Sequence, residues 1–294
     1  MTLTWINTDN NKQAVVWDGR SFTCGESKFR IFQYPVSVDG WDPYLAELMF
    51  SENDAGRPIG IASRRHTMSQ IKKYIPECDP KTILEVGCST GLMLEELQNE
   101  FPNTLIAGTD VDYNSLLSIA DKYPSVPLFQ MDLAEAEVPE RKFDCIVSLN
   151  VLEHIKDDRA AVVNIARLLK PRGILVLELP AGSSLYDVFD RQLRHYRRYD
   201  MDDLVNLLES CGLEIIEKSH LGCLPYPLFW MRKKINRRLL NADERVQVEV
   251  TSKYLSQTKR SSILHAIFRI EELIRKVIYL PFGIRCLITC RKSI

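Results

Sequence analysis

Two acidic residues flank a short turn of small residues in the first half of the chain. Glu85 lies within an apolar run at 83–86, small residues follow at 87–91, and Asp110 closes the next apolar run, 23 positions after Gly87. A buried strand, a tight turn and a helix start leave unpaired N–H groups that favour a carboxylate or phosphate ligand. An acid at the end of the following strand can accept both hydroxyls of a ribose. This layout predicts a nucleoside pocket, and a buried α/β turn without a ligand is the alternative.

The elements that would position these residues alternate along the chain. Apolar runs predict strands at 82–87, 104–110, 126–131, 143–149, 173–179 and 213–220, and a seventh at 283–290. Helical patterns fall at 41–50, 61–75, 91–100, 113–122, 158–169 and 201–211. Strands that alternate with helices form a mostly parallel sheet covered on both faces. The sequence therefore predicts an α/β, doubly wound, Rossmann-like fold with a seven-stranded sheet.

The turn resembles motif I of the class I S-adenosylmethionine-dependent methyltransferases, which commonly reads E-x-G-x-G-x-G. Glu85, Gly87 and Gly91 match this motif, and Ser89 replaces its middle glycine. A nicotinamide fingerprint would require glycine at 92, where the chain has Leu92. The resemblance implies S-adenosylmethionine as the cofactor and an antiparallel last strand. The cofactor-binding residues that it implies are Glu85, Gly87, Cys88, Ser89, Gly91, Asp110, Val111, Asp132, Leu133, Leu149 and Asn150.

Two later segments extend the resemblance. Asp132 ends the run VPLFQMD, and the family pattern implies that it receives the adenine amino group while Leu133 offers a backbone N–H. A turn or helix-cap aspartate is the alternative for Asp132. The segment FDCIVSLNVLEHI, at 143–155, resembles the subgroup whose fourth strand ends in L-E-H, which implies Leu149 and Asn150 beside the methionine part of the cofactor. The chain has no N-P-P-Y tetrapeptide at this place, which argues against methylation of an adenine amino group or a glutamine amide.

The acceptor side is predicted from the segment DRQLRHYRRYD, at 190–200. It resembles an H-[FY]-R-R-Y segment of bacterial methyltransferases associated with surface-polysaccharide gene neighbourhoods. His154 and His195 are the candidate catalytic bases because the ordinary pKa of histidine lies near neutrality. A structural histidine is the alternative for each, and both arginines could pair with Asp187 or Asp190. The substrate candidates are Glu153, Asp190, Tyr196, Arg197, Arg198 and Tyr199.

Charge distribution and cysteine content limit which partners, metal sites and cellular locations are expected. From residue 226 onward there are 15 Lys/Arg and 5 Asp/Glu, a net charge of +10, whereas the rest of the chain carries −11. Such asymmetry is typical of contact with anionic lipid, nucleic acid or a phosphorylated substrate, although solvated basic helix faces also produce it. The eight cysteines include no C-x-x-C pair, which favours buried thiols and predicts no metal site. The chain shows neither a signal-peptide pattern nor a long uncharged run, so a cytoplasmic location is expected.

The predicted organisation has four parts. Residues 1–60 form an N-terminal extension or cap, 61–222 the cofactor-binding core, 223–281 a basic helical insertion and 282–294 the final strand. Within the insertion Ile263, Ile267, Ile270, Ile274 and Val277 recur at helical spacing. Such a stripe packs against the domain or a homodimer mate, or it lies on a membrane surface at the inner face of the membrane.

We therefore expect an S-adenosylmethionine-dependent methyltransferase acting on an oxygen, rather than a nitrogen, of a carbohydrate or lipid-linked glycan. The acceptor follows from family analogy and from the basic insertion, and a fold alone does not fix function. The alternatives are methylation of RNA or of another small molecule, or a non-catalytic binding module that keeps the fold. Nucleic acid is the less favoured partner, because only the basic C-terminal stretch suggests it.

Overall fold

A computed structural model of the chain describes residues 3–6, 14–36, 56–75, 82–140, 142–257 and 261–293. The predicted α/β fold is confirmed: a mostly parallel central sheet carries helices between its strands. The helix predicted at 41–50 lies outside the described residues.

The central sheet has eight strands. In chain order they are β5 (Ile31–Gln33), β6 (Thr82–Val86), β7 (Leu105–Asp110), β8 (Leu128–Gln130), β9 (Phe143–Leu149), β10 (Leu169–Pro180), β11 (Leu213–Leu221) and β12 (Arg285–Lys292). Their spatial order is β11-β12-β10-β9-β6-β7-β8-β5, and β12 runs antiparallel to both of its neighbours. The expected antiparallel last strand is thus present.

The strand count differs from the seven expected because the N-terminal extension contributes β5. Its residues Ile31, Phe32 and Gln33 pair in parallel with Leu128, Phe129 and Gln130 of β8. This three-residue strand has no alternating pattern long enough to be recognised in the sequence. Pairing with β5 covers the edge of the sheet that β8 would otherwise leave open.

The extension also forms a small antiparallel sheet of four strands, β1 (Leu3–Ile6), β2 (Ala14–Trp17), β3 (Phe22–Cys24) and β4 (Ser27–Phe29). Aromatic side chains attach it to the central sheet. The rings of Trp5 and Phe129 lie 4.2 Å apart, those of Phe22 and Phe129 lie 5.1 Å apart, and the Trp5 indole donates a hydrogen bond of 2.6 Å to the Tyr34 hydroxyl. Burial of these large rings stabilises the contact between the extension and the central sheet.

Helices cover both faces of the central sheet. They are α1 (Pro58–Tyr74), α2 (Leu92–Glu100), α3 (Tyr113–Lys122), α4 (Asp158–Leu168), α5 (Val188–Gln192) and α6 (Met201–Ser210). Strands β6 and β9 lie at the centre, and Ile83, Leu84, Ile146 and Val147 are fully buried there. Continuous apolar runs are the signature of strands covered on both sides, which explains why these two strands were predictable.

The insertion between β11 and β12 contains α7 (Tyr226–Arg237), α8 (Glu244–Gln257) and α9 (Ser262–Arg275). Helix α9 faces the core with Phe268 and with Glu271, whose carboxylate accepts the backbone N–H groups of Gly222 and Leu224 at 2.6 and 3.0 Å. The isoleucine stripe, for which packing on the domain, a dimer mate or a membrane surface was left open, lies mostly outside, with Ile263 74% and Ile270 53% exposed. None of the helices described is long and apolar enough to span a bilayer.

Candidate active site

The turn after β6 forms the floor of the site. Gly87 has φ +72°, and a Cβ atom there would lie 2.5 Å from Cγ2 of Val151. Ser89 also adopts a left-handed conformation, with φ +43°, and its backbone N–H donates 2.8 Å to Oδ2 of Asp110. Position 87 therefore needs a glycine, because Val151 in the loop after β9 lies directly against it. This close approach brings the ends of β6, β7 and β9 together.

Two buried carboxylates face this turn. Asp110 accepts N–H groups from Ser89 and Asp112, and burial raises its pKa against the effect of those hydrogen bonds. Burial, followed by repulsion from Asp110, raises the pKa of Glu85 well above its usual value. The Oε2 atom of Glu85 is buried and has no hydrogen-bond partner among the described residues. A buried carboxylate oxygen without a donor is costly, so a ligand with hydroxyl or ammonium groups fits here.

The adenine and methionine sides of the predicted pocket follow on the neighbouring strands. Asp132 and Leu133 follow β8, and Oδ1 of Asp132 accepts the N–H of Ala134 at 2.8 Å. Asn150 follows β9 with φ +56°, and its amide donates 3.1 Å to Oε1 of Glu178 on β10. Glu178, 1% exposed, thus holds Asn150 in a conformation that residues other than glycine rarely adopt.

One cavity of about 1190 Å³ joins these features. Of the predicted cofactor residues, all but one line it: Glu85, Gly87, Cys88, Ser89, Asp110, Val111, Asp132, Leu133, Leu149 and Asn150. Gly91 instead begins helix α2 with φ +76°. The cradle at Gly87, the unpartnered oxygen of Glu85 and the paired acids fit S-adenosylmethionine, whose ribose and amino groups supply the missing donors.

The same cavity reaches the predicted acceptor side. Glu153, His154, Asp190, His195, Tyr196 and Arg198 line it. Arg197 and Tyr199 do not: Arg197 pairs with Asp158 at 2.5 Å, and the Tyr199 hydroxyl lies 2.9 Å from the same carboxylate. Their positions agree with the alternative in which part of the H-Y-R-R-Y segment is structural.

The two histidines meet at the end of this cavity. The ring centroids of His154 and His195 are 4.6 Å apart and the planes are perpendicular. Nδ1 of His195 donates to Oδ1 of Asp190 at 3.1 Å. Burial, and then the neighbouring His195, lowers the pKa of His154 to about 3, and burial also lowers the pKa of His195. Both rings are therefore neutral at neutral pH and offer a lone pair to a ligand.

Asp190 is the centre of a buried charge network. Its carboxylate accepts from Arg198 at 2.9 Å and from Lys233 at 2.7 Å, in addition to His195. Burial alone would raise the pKa of Asp190, but the hydrogen bond from His195 and the charges of Arg198 and Lys233 outweigh it and lower the pKa. Asp190 is thus ionised and fixes the orientation of the His195 ring.

Lys233 is a site residue that the sequence does not reveal. It comes from helix α7 of the insertion, is 5% exposed, and bridges Asp187 and Asp190 at 2.7 Å each. In the sequence it is one of five cations in a basic run, and nothing in its spacing separates it from Arg232 or Lys234. Arg285 on β12, which binds Glu178 and lines the cavity, is also missed, because it is a single cation in an apolar run that lies far from Glu178 in the sequence.

The sheet order, the glycine cradle and the paired acids define a class I S-adenosylmethionine-dependent methyltransferase. Residues 61–218 match the family model described as "Methyltransferase domain", which is more than half of the chain, and the chain therefore belongs to that family. Membership of this family indicates a methyltransferase domain, and the residues that line the cavity fit S-adenosylmethionine as its cofactor.

Curated relatives and solved structures agree with this assignment. The chain is 27% identical over 151 residues to a probable S-adenosylmethionine-dependent methyltransferase of Mycobacterium tuberculosis, covering 51% of this chain and 54% of that protein. It is 23% identical over 157 residues to malonyl-[acyl-carrier protein] O-methyltransferase 2 of Ilyobacter polytropus, covering 50% and 61%. The chain thus spans little more than half the length of these relatives.

Among solved structures, phosphoethanolamine N-methyltransferase 2 of Haemonchus contortus in complex with S-adenosyl-L-methionine has a TM-score of 0.54 to this chain at 16% identity. The similarity covers 85% of this chain and 56% of that one. At this identity the likeness establishes the fold alone.

Proposed function

We propose that the enzyme transfers a methyl group to an oxygen of a carbohydrate or lipid-linked glycan. When bound, S-adenosylmethionine supplies a methyl group that is already strongly electrophilic. The protein must then align an acceptor lone pair, exclude water and deal with the acceptor's proton. The observation that carries the proposal is the pair His154 and His195 at the acceptor end of the cofactor cavity, with His195 oriented by Asp190.

The histidine pair favours oxygen over nitrogen as the acceptor atom. A hydroxyl is a poor nucleophile until its proton is removed or its charge is stabilised, whereas a neutral amine already has a usable lone pair. His154 and His195 are neutral rings that line the cavity, and His195, hydrogen-bonded to the ionised Asp190, is the one we expect to take a hydroxyl proton. An amine that is already neutral would need no base before the attack, so the pair is of more use to a hydroxyl.

The insertion supports a glycan that carries a lipid or phosphate. Leu228, Phe229, Arg232 and Asn236 of α7 line the cavity opposite the cofactor turn. They offer apolar surface, a cation and an amide to one acceptor. A polyprenyl-phosphate glycan has matching apolar, anionic and hydroxylated parts.

The same insertion supports contact with an anionic membrane surface. Leu228, Met231 and Ile235 share one face of α7 and are 71%, 52% and 55% exposed. Leu228 also lines the cavity, so this face lies at the mouth of the site. Apolar side chains beside exposed Arg237 and Arg238 are typical of helices that lie in the membrane interface. Lys233 points into the cavity and is not part of this surface.

The acceptor is tested by extracting lipids and glycans from cells with and without the gene. The extracts are compared by mass spectrometry, and one species is expected to gain the mass of a methyl group only when the active protein is present. Purified protein should then methylate the extract that lacks this modification, whereas the Asp110→Asn variant should not. Label that appears only on RNA, protein or an amine would refute the proposed acceptor.

Membrane contact is tested by sedimentation with vesicles of phosphatidylglycerol and phosphatidylethanolamine. A variant with Leu228→Ser, Met231→Ser and Ile235→Ser should lose binding. A matched control carries Leu117→Ser and Val163→Ser, two residues that are 42% and 39% exposed on other helices, and it should bind as the unmodified protein does. If the first variant instead splits a dimer and vesicles never bind, the surface is an interface between two copies.

A further inference from the structure

Three potential metal ligands meet at the acceptor end of the cavity. Glu153, His154 and His195 each offer one ligand atom, and these atoms lie within 4.8 Å of one another. Glu153 and His154 belong to a single 3-10 turn, Leu152–His154, after β9, and His195 follows α5. We infer that these three side chains bind a divalent transition-metal ion.

The carboxylate of Glu153 is poorly satisfied without such an ion. The side chain is 1% exposed, and its Oε2 atom is buried with no hydrogen-bond partner among the residues described. Desolvating a carboxylate oxygen without a donor costs free energy, and native proteins rarely leave one in this state unless it serves a site. A cation at the centre of the three ligands would compensate this oxygen directly.

Each histidine ring makes a hydrogen bond of the kind that orients metal-binding histidines. Nδ1 of His195 is held by Asp190, which leaves Nε2 for a metal. The ring of His154 is hydrogen-bonded to the backbone of Leu193, and one of its nitrogens is the ligand atom that it contributes to the cluster. Metal-binding histidines usually donate their other N–H to a carboxylate or a backbone carbonyl, which fixes the ring orientation. The two rings are perpendicular with centroids 4.6 Å apart, and one ligand atom of each lies within 4.8 Å of the other.

Two imidazoles and one carboxylate suit Zn²⁺, Fe²⁺, Co²⁺ or Mn²⁺ better than Mg²⁺ or Ca²⁺, which prefer oxygen ligands alone. Three protein ligands leave open positions, and the cavity lies on that side. This step rests on the proposed function: an acceptor hydroxyl bound at an open position would have its pKa lowered and would lose its proton to water. His154 and His195 would then act as ligands rather than as bases.

The cysteine pattern predicted no metal site, but this cluster contains no cysteine. Its ligands come from segments that are distant in the sequence, and only the fold brings them together. The two proposals on this cavity can fail separately because metal binding needs no acceptor.

The test is a titration of the full-length protein, freed of metal by a chelator, with Co²⁺ followed by visible absorption. We expect one Co²⁺ per chain with a characteristic ligand-field spectrum that Zn²⁺ abolishes by displacement. Glu153→Gln, His154→Gln and His195→Gln should each lose this signal. Asp190→Asn removes the charged partner of His195, and of Arg198 and Lys233 with it, and should weaken binding roughly 10- to 100-fold in protein that still binds S-adenosylhomocysteine. The control His265→Gln alters a histidine on α9 and should leave the spectrum unchanged.

Calorimetry with S-adenosylhomocysteine shows whether each variant has kept its fold and its cofactor pocket. The metal site is refuted if the unmodified protein and Glu153→Gln bind Co²⁺ with the same affinity while both still bind S-adenosylhomocysteine. If that result is accompanied by chelator-insensitive methylation of a glycan, the proposed function stands without the metal. If Co²⁺ binds but no hydroxyl is methylated, the metal site stands and the proposed acceptor is wrong.

Discussion

Nζ of Lys233 lies 2.7 Å from Oδ2 of Asp190, and both residues line the cavity that runs from the glycine turn to the histidine pair. Lys233 belongs to the insertion, and Asp190 orients His195. The insertion is therefore coupled to the acceptor end of the site through a buried ion pair rather than by packing alone.

This ion pair predicts a large cost for Lys233→Met. Removing one partner of a buried pair leaves uncompensated charge, and we expect a loss of roughly 3 kcal/mol in the free energy of unfolding. Denaturant titration measures it, with the neighbouring Lys234→Met as control, which should change stability little because Lys234 is not buried. Equal stability of both variants would show that the network does not hold the insertion.

Asp110→Asn tests the cofactor cradle. The carboxylate accepts N–H groups from Ser89 and Asp112 and faces the predicted ribose position. Hydrogen bonds to a charged group contribute about 1.5–3 kcal/mol, so affinity for S-adenosylhomocysteine should fall by roughly one to two orders of magnitude. Calorimetry gives the dissociation constant, and Asp121→Asn, at an exposed position of α3, should not alter it.

Gly87→Ala should damage the turn for two separable reasons. Its φ of +72° disfavours any side chain, and the new Cβ would meet Cγ2 of Val151 at 2.5 Å. We expect a loss of about 1–3 kcal/mol of stability and weaker cofactor binding. Adding Val151→Ala should recover the part due to the clash but not the part due to the backbone. Gly60→Ala in helix α1, where the nearest atom is 3.4 Å away, is a control that should not destabilise the protein.

The buried His66 is expected to lower the free energy of unfolding in acid. Burial, and then the charge of Arg275, lowers its pKa from 6.5 to about 3, although Glu217 nearby opposes this. The unfolded chain therefore binds one more proton between these values, so stability falls as the pH drops below 6.5 and stops falling near 3. The slope is at most about 1.4 kcal/mol per pH unit.

Replacing His66 with Gln should remove this share of the slope when unfolding is measured by denaturant at several pH values. The control His265→Gln, at a partly buried position of α9, should retain it. An unchanged slope in His66→Gln would assign the acid sensitivity to other groups.

Much of the fold was predictable from local patterns. Strand β9 was expected at 143–149 and occupies Phe143–Leu149, and α3 was expected at 113–122 and occupies Tyr113–Lys122. Strand β9 lies at the buried centre of the sheet, and α3 packs with one apolar face against β7 and β8, so each has a clear periodicity. Strand β5 was missed because three residues carry no readable period.

In the insertion, by contrast, the sequence pattern identified a helix but not its packed face. The isoleucine stripe of α9 has a clear helical spacing, yet the packed face carries Phe268 and the charged Glu271, whose carboxylate caps backbone N–H groups at the entry to the insertion. A hydrophobic pattern identifies a helix but not which neighbour its apolar face meets, and a buried carboxylate with two donors is invisible to it.

The sequence by itself determined the sheet core, the glycine turn and the acids at 85, 110 and 132, because each depends on short-range spacing along strands, turns and helix starts. Only the tertiary structure decided that Glu153, His154 and His195 converge, that Asp190 is shared by three donors and that Lys233 closes the site from the insertion. The reason is physical: the free energy of a buried charge depends on partners brought close by folding, and sequence distance carries no information about them.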